Sequence, residues 1–364
     1  MGPEGREAPE GLEVPEGLKK RRLGPEGPEV SAISLGLMSV GGGITYYEEE
    51  TMRDAAEEMV ARFLDMGGNH IDTSDIYGPC KSEVFLGEMM RKHGREKFFV
   101  ATKCTLASFL SEKEEFRKWG APCADPAYVK EACEQSLKRL GTDCIDLFYL
   151  HRPDPKTPVE ESMKALLELR EAGKIKYVGL SEFKPEEVRK AHKVMPVTAL
   201  QYEWSCMARD LEEDIVPLCK ELGIGLVAYS PLARGMLTNA FPTRADLPND
   251  WRTAPEDAAG GFGTCGRMLP GNYDKNMALV KEFSKIAESK NCTPGQLALA
   301  WLLAQYPYVV PIPATTKAHR VEENLKAAMV KLTPDDLAKI AEALPADGVV
   351  GARYTSPSMT YNGK

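Results

Sequence analysis

Residues 69–78 read NHIDTSDIYG: a short β-forming run closes on the carboxylate of Asp72, and a phenol follows five residues on at Tyr77. Two later runs repeat the device with other ionisable groups. FFVAT (98–102) runs into Lys103, and IDLFYL (145–150) runs into His151. In a parallel α/β barrel the C-terminal ends of all strands converge on one face. A carboxylate, a phenol, an ammonium and an imidazole would then share one cleft, and together they can deliver a proton to a carbonyl oxygen.

Working outward, apolar strand-like runs recur near 32–38, 69–72, 98–102, 145–150, 175–180, 197–201, 224–229 and 308–312. Helix-period segments follow them at 51–66, 81–93, 126–140, 158–172, 184–194, 210–222, 273–305 (broken at Pro294) and 317–329. Gly67-Gly68, Gly94, Gly141, Gly173 and Gly223 stand just past periodic runs, where a helix end favours a left-handed residue. Asp125-Pro126 and Thr157-Pro158 read as caps followed by proline at the first helical position. Eight strand–helix units predict an α/β fold, a closed (β/α)8 TIM barrel in a single domain. A doubly wound sheet shares the alternation, and the count of eight decides against it.

The barrel is expected over 18–345, with residues 1–17 (Pro-Glu-Gly repeats) as a disordered tail and 346–364 as a C-terminal tail. Lys19-Lys20-Arg21-Arg22 reads as the start of a surface hairpin through Leu23-Gly24 and Glu29-Val30 rather than as a nuclear signal. Long loops follow strands three and seven, at 104–124 and 231–272, and should rise over the active face. Substrate would be shaped there and after strand one, around Met38, Tyr46, Tyr47, Trp119 and Trp251.

The chain has 364 residues and a formal net charge of -8, which argues against a general nucleic-acid or membrane-surface protein. Its longest apolar run, 297–304, is too short to span a bilayer. Nine scattered cysteines without a CxxC pair, and no apolar leader, point to free thiols in the cytoplasm. On that footing the Asn291-Cys292-Thr293 sequon is discounted. No metal site is expected: the five histidines are dispersed and no HExxH or Cys/His cluster exists. GFGTCG (261–266) matches GxGxxG but follows no strand and opens no helix, so it is not a dinucleotide fingerprint.

Carbonyl reduction needs negative charge stabilised on the oxygen and then a proton. Tyr77 is the candidate general acid. A free phenol titrates near about 10, and a close ammonium lowers such a value by about 1–3 units. Lys103 would supply that charge, Asp72 would hold Lys103, and His151 would donate a hydrogen bond that orients the carbonyl. Later strand ends offer a hydroxyl at Ser181, an amide at Gln201 and an aromatic face at Tyr229, which suit a nicotinamide. PATTKAHRVEEN (313–324) places Thr315, Lys317, Arg320, Glu323 and Asn324 where a phosphate-accepting loop opens a helix. The Arg320 fork favours NADPH over NADH.

The motifs IDTSDIYG (71–78), ATKCT (101–105), YLHRPD (149–154), YVGLSEF (177–183), LQYEWS (200–205), AYSPLARG (228–235) and PIPATTKAHRVEEN (311–324) resemble the aldo-keto reductase superfamily in their order and span. GKIKYVGLSEF, AYSPLARG and IPATTK look most like its plant and fungal perakine-reductase-like, auxin-induced-protein-like branch. The resemblance implies a catalytic tetrad of Asp72, Tyr77, Lys103 and His151, with NADPH across the barrel mouth. It implies that Ser181 and Gln201 hold the carboxamide and that Tyr229 stacks on the nicotinamide. Ser230, Leu232, Arg234 and Gly235 would wrap the pyrophosphate. Thr315, Lys317 and Arg320 would take the 2′-phosphate, with Glu323 and Asn324 near the adenine. The chain departs from the family at Glu182, where Asn is common, and at Ala314, where many members carry lysine. Two other readings stay open: an NADPH-binding regulatory subunit with little turnover, and a Schiff-base aldolase using Lys103. The partner expected is a small carbonyl compound, and the sequence leaves oligomeric state open.

Overall fold

The structure is a computed structural model, which describes residues 20–41, 53–117, 121–254 and 264–363. Strands β1 (Lys20–Arg22) and β2 (Glu29–Ser31) form the expected hairpin, with Lys20 opposite Ser31 and Arg22 opposite Glu29. Eight parallel strands follow: β3 (Leu35–Gly36), β4 (His70–Asp72), β5 (Phe99–Cys104), β6 (Ile145–Leu150), β7 (Ile175–Ser181), β8 (Ala199–Glu203), β9 (Gly225–Tyr229) and β10 (Val309–Pro311). Each pairs with its neighbour in chain order. The ring closes where Ser34 N–H donates to Pro311 O (2.9 Å), Gly36 N–H donates to Pro313 O (3.1 Å), and Gly36 bridges Ala314 in parallel.

The period of two along each strand divides the core. Phe99, Ala101, Leu147, Tyr149, Ala199, Val227, Val310 and Ile312 fill the lumen, and Leu23 and Val30 of the hairpin plug its base. Arg21 ties the hairpin down by donating to Leu303 O at 2.9 Å and Tyr306 O at 3.2 Å. The alternate residues, such as Val100, Phe148, Leu150 and Val178, face the helices in a second layer. Gly179 is required by this packing: a Cβ there would stand 2.2 Å from the Tyr149 ring.

The helices lie where the periodicity places them: α1 (Arg53–Asp65), α2 (Lys81–His93), α3 (Pro126–Leu140), α4 (Val159–Glu171), α5 (Pro185–Val194), α6 (Ile215–Leu222), α7 (Asn272–Ser289), α8 (Pro294–Gln305) and α9 (Ala318–Lys326). Asp125 caps α3 by accepting from Ala127 N at 2.8 Å. Thr157 does not cap α4; its hydroxyl donates to Asp154 instead, and Pro158 takes the cap position. The segment expected to be helical from 210 opens as a separate 3-10 turn, Asp210–Glu212, before Asp214 caps α6. A further helix, α10 (Pro334–Ala343), has no counterpart in the periodicity reading, although its Thr333/Asp336 capping box is written in TPDD.

The long connections rise from the ends of β5 and β9 and contain 3-10 turns at Ser108–Leu110, Glu114–Phe116, Ala233–Thr238, Arg244–Asp246 and Gly266–Met268. Tyr46, Tyr47, Trp119, the tail 1–17 and the glycines of 261–263 lie outside the described residues. Residues 349–363 pack back onto the barrel mouth, where Arg353 and Tyr361 are buried.

Candidate active site

Parity brings the ionisable residues together. Asp72 and Lys103 share the inward face at the ends of β4 and β5, and both are at most 1 % exposed. Lys103 Nζ forms an ion pair with Asp72 Oδ1, donates to Thr73 O at 2.8 Å, and lies 3.5 Å from the Tyr77 hydroxyl. The ammonium also sits 5.0 Å from the centre of the Tyr77 ring. Tyr77 is held by a tight loop in which Cys80 N–H donates to Asp75 O at 2.8 Å. Gly78, at φ 67°, packs against Gly41 so closely that a Cβ would stand 2.5 Å from Gly41 O. His151 continues β6: its N–H donates to Cys104 O at 2.9 Å. Its ring meets the Tyr77 ring edge to face at 6.1 Å. The structure thus assembles all four residues at one end of the barrel.

Burial dominates the electrostatics. It pushes the Asp72 carboxyl up, with Lys103 and Gln201 partly offsetting the shift, and draws the Lys103 ammonium down against the pull of Asp72. The expectation that Lys103 lowers the Tyr77 phenol is not met. Burial raises that phenol well above its ordinary value, the Asp72 charge raises it further, and Arg152 is the cation that opposes them. The sequence argument paired Asp72 with Lys103 but did not count the effect of that carboxylate on the phenol itself. His151 lies well below the ordinary imidazole range because of burial and the nearby charges of Arg152 and Lys103, so it is neutral.

Gln201 donates to Asp72 Oδ2 at 2.9 Å, and Ser181 accepts from Arg152 at 3.2 Å. Both side chains stand at the same mouth, beside Tyr229 on β9. The Tyr229 hydroxyl donates to Glu182 Oε1 at 2.8 Å. Glu182 holds a left-handed backbone at φ 58° and also accepts from Arg353 (3.0 Å) and Tyr361 N (2.9 Å). Burial alone would raise its carboxyl, but Arg353 and Arg152 outweigh it and hold Glu182 below the usual range. Sequence reasoning flagged Glu182 only as a departure from the family's common Asn. It missed Arg353, whose sole signal is an arginine amid aromatic residues in RYTSPSMTY (353–361).

The loop after β9 carries consecutive left-handed residues Ala233 (φ 48°), Arg234 (φ 58°) and Gly235 (φ 102°). Within it Ala233 N–H donates to Ser230 O at 2.9 Å and Gly235 N–H to Leu232 O at 3.0 Å, which makes a tight, self-bonded turn. Arg234 offers backbone there, because its guanidinium is buried on Glu203 (2.8 Å) and Arg353 O (2.6 Å) and lies against Trp251 and Tyr354. Ser230 and Leu232 flank the run and are half-buried. Leu232 and Glu323 both border Gly295: a Cβ there would lie 3.8 Å from Leu232 Cδ2 and 3.8 Å from Glu323 Oε1. Thr315 and the exposed Lys317 lead into the N-terminus of α9, with Thr315 Oγ1 accepting from Lys317 N at 3.2 Å. Arg320 is partly exposed and pairs with Glu323, which also accepts from Thr293 at 2.7 Å. Asn324 is buried.

Comparison with known proteins agrees with this architecture. A family model described as "Aldo/keto reductase family" matches residues 32–345. A probable aldo-keto reductase 1 of Glycine max is 39% identical over 349 residues, covering 94% of this chain and 92% of the relative. A glycerol dehydrogenase from Gluconobacter oxydans superimposes with a TM-score of 0.76 at 28% identity, over 91% of this chain and 97% of its own. An aldo-keto reductase from Bacillus halodurans in its holo form superimposes with a TM-score of 0.70 at 29% identity, over 93% and 98%.

Proposed function

The chain belongs to the aldo/keto reductase family, and on that premise we propose that it reduces an aldehyde or ketone to the alcohol, with NADPH as cofactor and Tyr77 as proton donor. It is an NAD(P)-dependent oxidoreductase, and carbonyl reduction is the general activity. NADPH, when bound, supplies the hydride for the carbonyl carbon. Ser181 and Gln201 hold the carboxamide, and Tyr229, fixed through its hydroxyl by Glu182, offers the stacking face. Ser230, Leu232, Arg234 and Gly235, in the tight turn after β9, wrap the pyrophosphate. Thr315, Lys317 and Arg320 take the 2′-phosphate at the α9 N-terminus, where backbone N–H groups and the helix dipole favour an anion. Glu323 and Asn324 border the adenine.

Tyr77 gives its proton to the carbonyl oxygen as charge develops there. Lys103 stabilises the phenolate that remains, and Asp72 and Thr73 O keep the ammonium aimed at it. The neutral His151 ring donates a hydrogen bond that orients the carbonyl. The observation that carries this reading is the placement of Lys103 Nζ between the Asp72 carboxylate and the Tyr77 hydroxyl, 3.5 Å away, in a buried site. The same placement disfavours a Schiff-base role, because Lys103 is occupied by Asp72 and Thr73 O. No described helix is long and apolar enough to cross a membrane; the cytoplasmic placement rests on the nine scattered cysteines of the sequence. Purified protein given a panel of aldehydes and ketones, with NADPH and NADH in parallel, tests the proposal. No oxidation of either cofactor across the panel would favour the regulatory-subunit reading.

A further inference from the structure

We propose that Ser74 and Asp75 form a proton relay that decides which ring nitrogen of His151 carries its hydrogen, and so whether His151 can donate to a carbonyl oxygen. The inference rests on the reading of His151 as that donor. His151 Nδ1 lies 3.1 Å from Ser74 Oγ, and Ser74 Oγ lies 3.0 Å from Asp75 Oδ1. Ile76 N–H also points at Ser74 Oγ, at 3.4 Å. Ser74 is 0% and Asp75 2% exposed, so bulk water does not interrupt the chain.

A hydroxyl has one hydrogen to give. An ionised Asp75 can only accept, so Ser74 donates to it. Ser74 Oγ must then accept from His151, which fixes the imidazole hydrogen on Nδ1 and leaves Nε2 a bare acceptor. That tautomer cannot donate to a carbonyl. Uptake of one proton at Nε2 reverses the chain. The Nδ1 hydrogen passes to Ser74 Oγ as the Ser74 hydrogen passes to the Asp75 carboxylate. The relay then reads Asp75 O–H to Ser74 O–H to His151 Nδ1, with Nε2–H free to donate. One proton is gained, and every member of the relay is neutral.

The surroundings favour placing that proton on the carboxyl rather than on the ring. Burial, and then Glu83 on α2, push Asp75 up to about 7 against the opposing pull of Arg139 on α3. Lys103 on β5 also faces Asp75, as do the un-ionised Tyr77, Cys80, Cys104 and Tyr128. Burial, Arg152 and Lys103 keep His151 from becoming an imidazolium. The proton-bound relay, and with it the Nε2–H tautomer, is therefore present below about 7 and lost as the pH rises through that value.

Two-bond proton–nitrogen spectra of protein labelled with nitrogen-15 histidine test this directly. A His151→Gln spectrum identifies the signal among the five histidines. The wild-type ring should pass from Nε2–H to Nδ1–H as pH rises. Asp75→Asn, whose side chain does not titrate, should hold one tautomer throughout the pH range, and Ser74→Ala should abolish the transition. A single wild-type tautomer across the range, or a transition unchanged in both variants, overturns the relay. In parallel, wild-type kcat/KM for ketones should fall about tenfold per pH unit above the transition, and Asp75→Asn should lack that limb. A tautomer transition without the kinetic limb upholds the relay and overturns instead the role of His151 as carbonyl donor.

Discussion

His151 illustrates what one residue reveals and withholds. Its place after an apolar strand made it a candidate, and its parity with Leu147 and Tyr149 puts it on the inward face. Its partner Ser74 is 77 residues away and was not legible, because side-chain hydrogen bonds across strands leave no local pattern. If His151 orients the carbonyl, truncation should hurt bulky ketones more than small activated aldehydes, since the latter depend less on orientation. For His151→Ala we expect the ketone-to-aldehyde ratio of kcat/KM to fall at least about tenfold. Equal losses on both substrate classes would assign the imidazole a packing role. Tyr77 shows the converse limit: its identity was readable, but the direction of its pKa shift depended on burial and on a carboxylate whose effect the sequence argument had not included.

Among elements, the strands were the most legible, because a parallel barrel buries both faces of each strand and so writes it as a short apolar run bounded by turn residues. Helix α10 was not, since its short run falls beyond the eighth repeat. The C-terminal segment was illegible for a physical reason. Its anchor is the ion pair of Arg353 with Glu182, 171 residues away, and a fold-back of that kind has no periodicity. Arg353→Met keeps much of the volume and removes the cation paired directly with the buried Glu182, leaving the more distant charge of Arg152. Breaking such a pair costs about 3–5 kcal/mol, which urea unfolding would read; a loss under about 1 kcal/mol would show that Tyr229 and Tyr361 suffice. At the opening of α9, Arg320 pairs with Glu323. A partly exposed pair is worth at most about 1 kcal/mol, so it does not stop the guanidinium from turning to a phosphate. A hydrogen bond to a charged group is worth roughly 1.5–3 kcal/mol, about 10–150-fold. Arg320→Ala should weaken NADPH by that factor and spare NADH in fluorescence titrations. Parallel losses for both cofactors would move the phosphate contact to Lys317.

For the whole molecule, closure of the ring between 34–36 and 311–314 turns eight sequential strand ends into one site. The count of eight implied that closure, but the plug of the base by Leu23 and Val30 emerged only in three dimensions. The same closed interior sets an acid limit. Burial, with Lys103 adding to it, draws His70 down to about 3. Between that value and the ordinary imidazole pKa of about 6.5 the unfolded chain binds the extra proton. Stability should therefore fall as pH drops through this window, by up to about 1.4 kcal/mol per unit. His70→Gln should shift the acid-unfolding midpoint to lower pH, and an unchanged midpoint would remove His70 from the account. The central claim, that the closed ring aims a proton donor at a carbonyl, is tested most directly by the turnover of Tyr77→Phe with NADPH bound. Turnover should drop by about 10²–10⁴ with NADPH affinity nearly unchanged. Near wild-type turnover would contradict the assignment of Tyr77 as the acid.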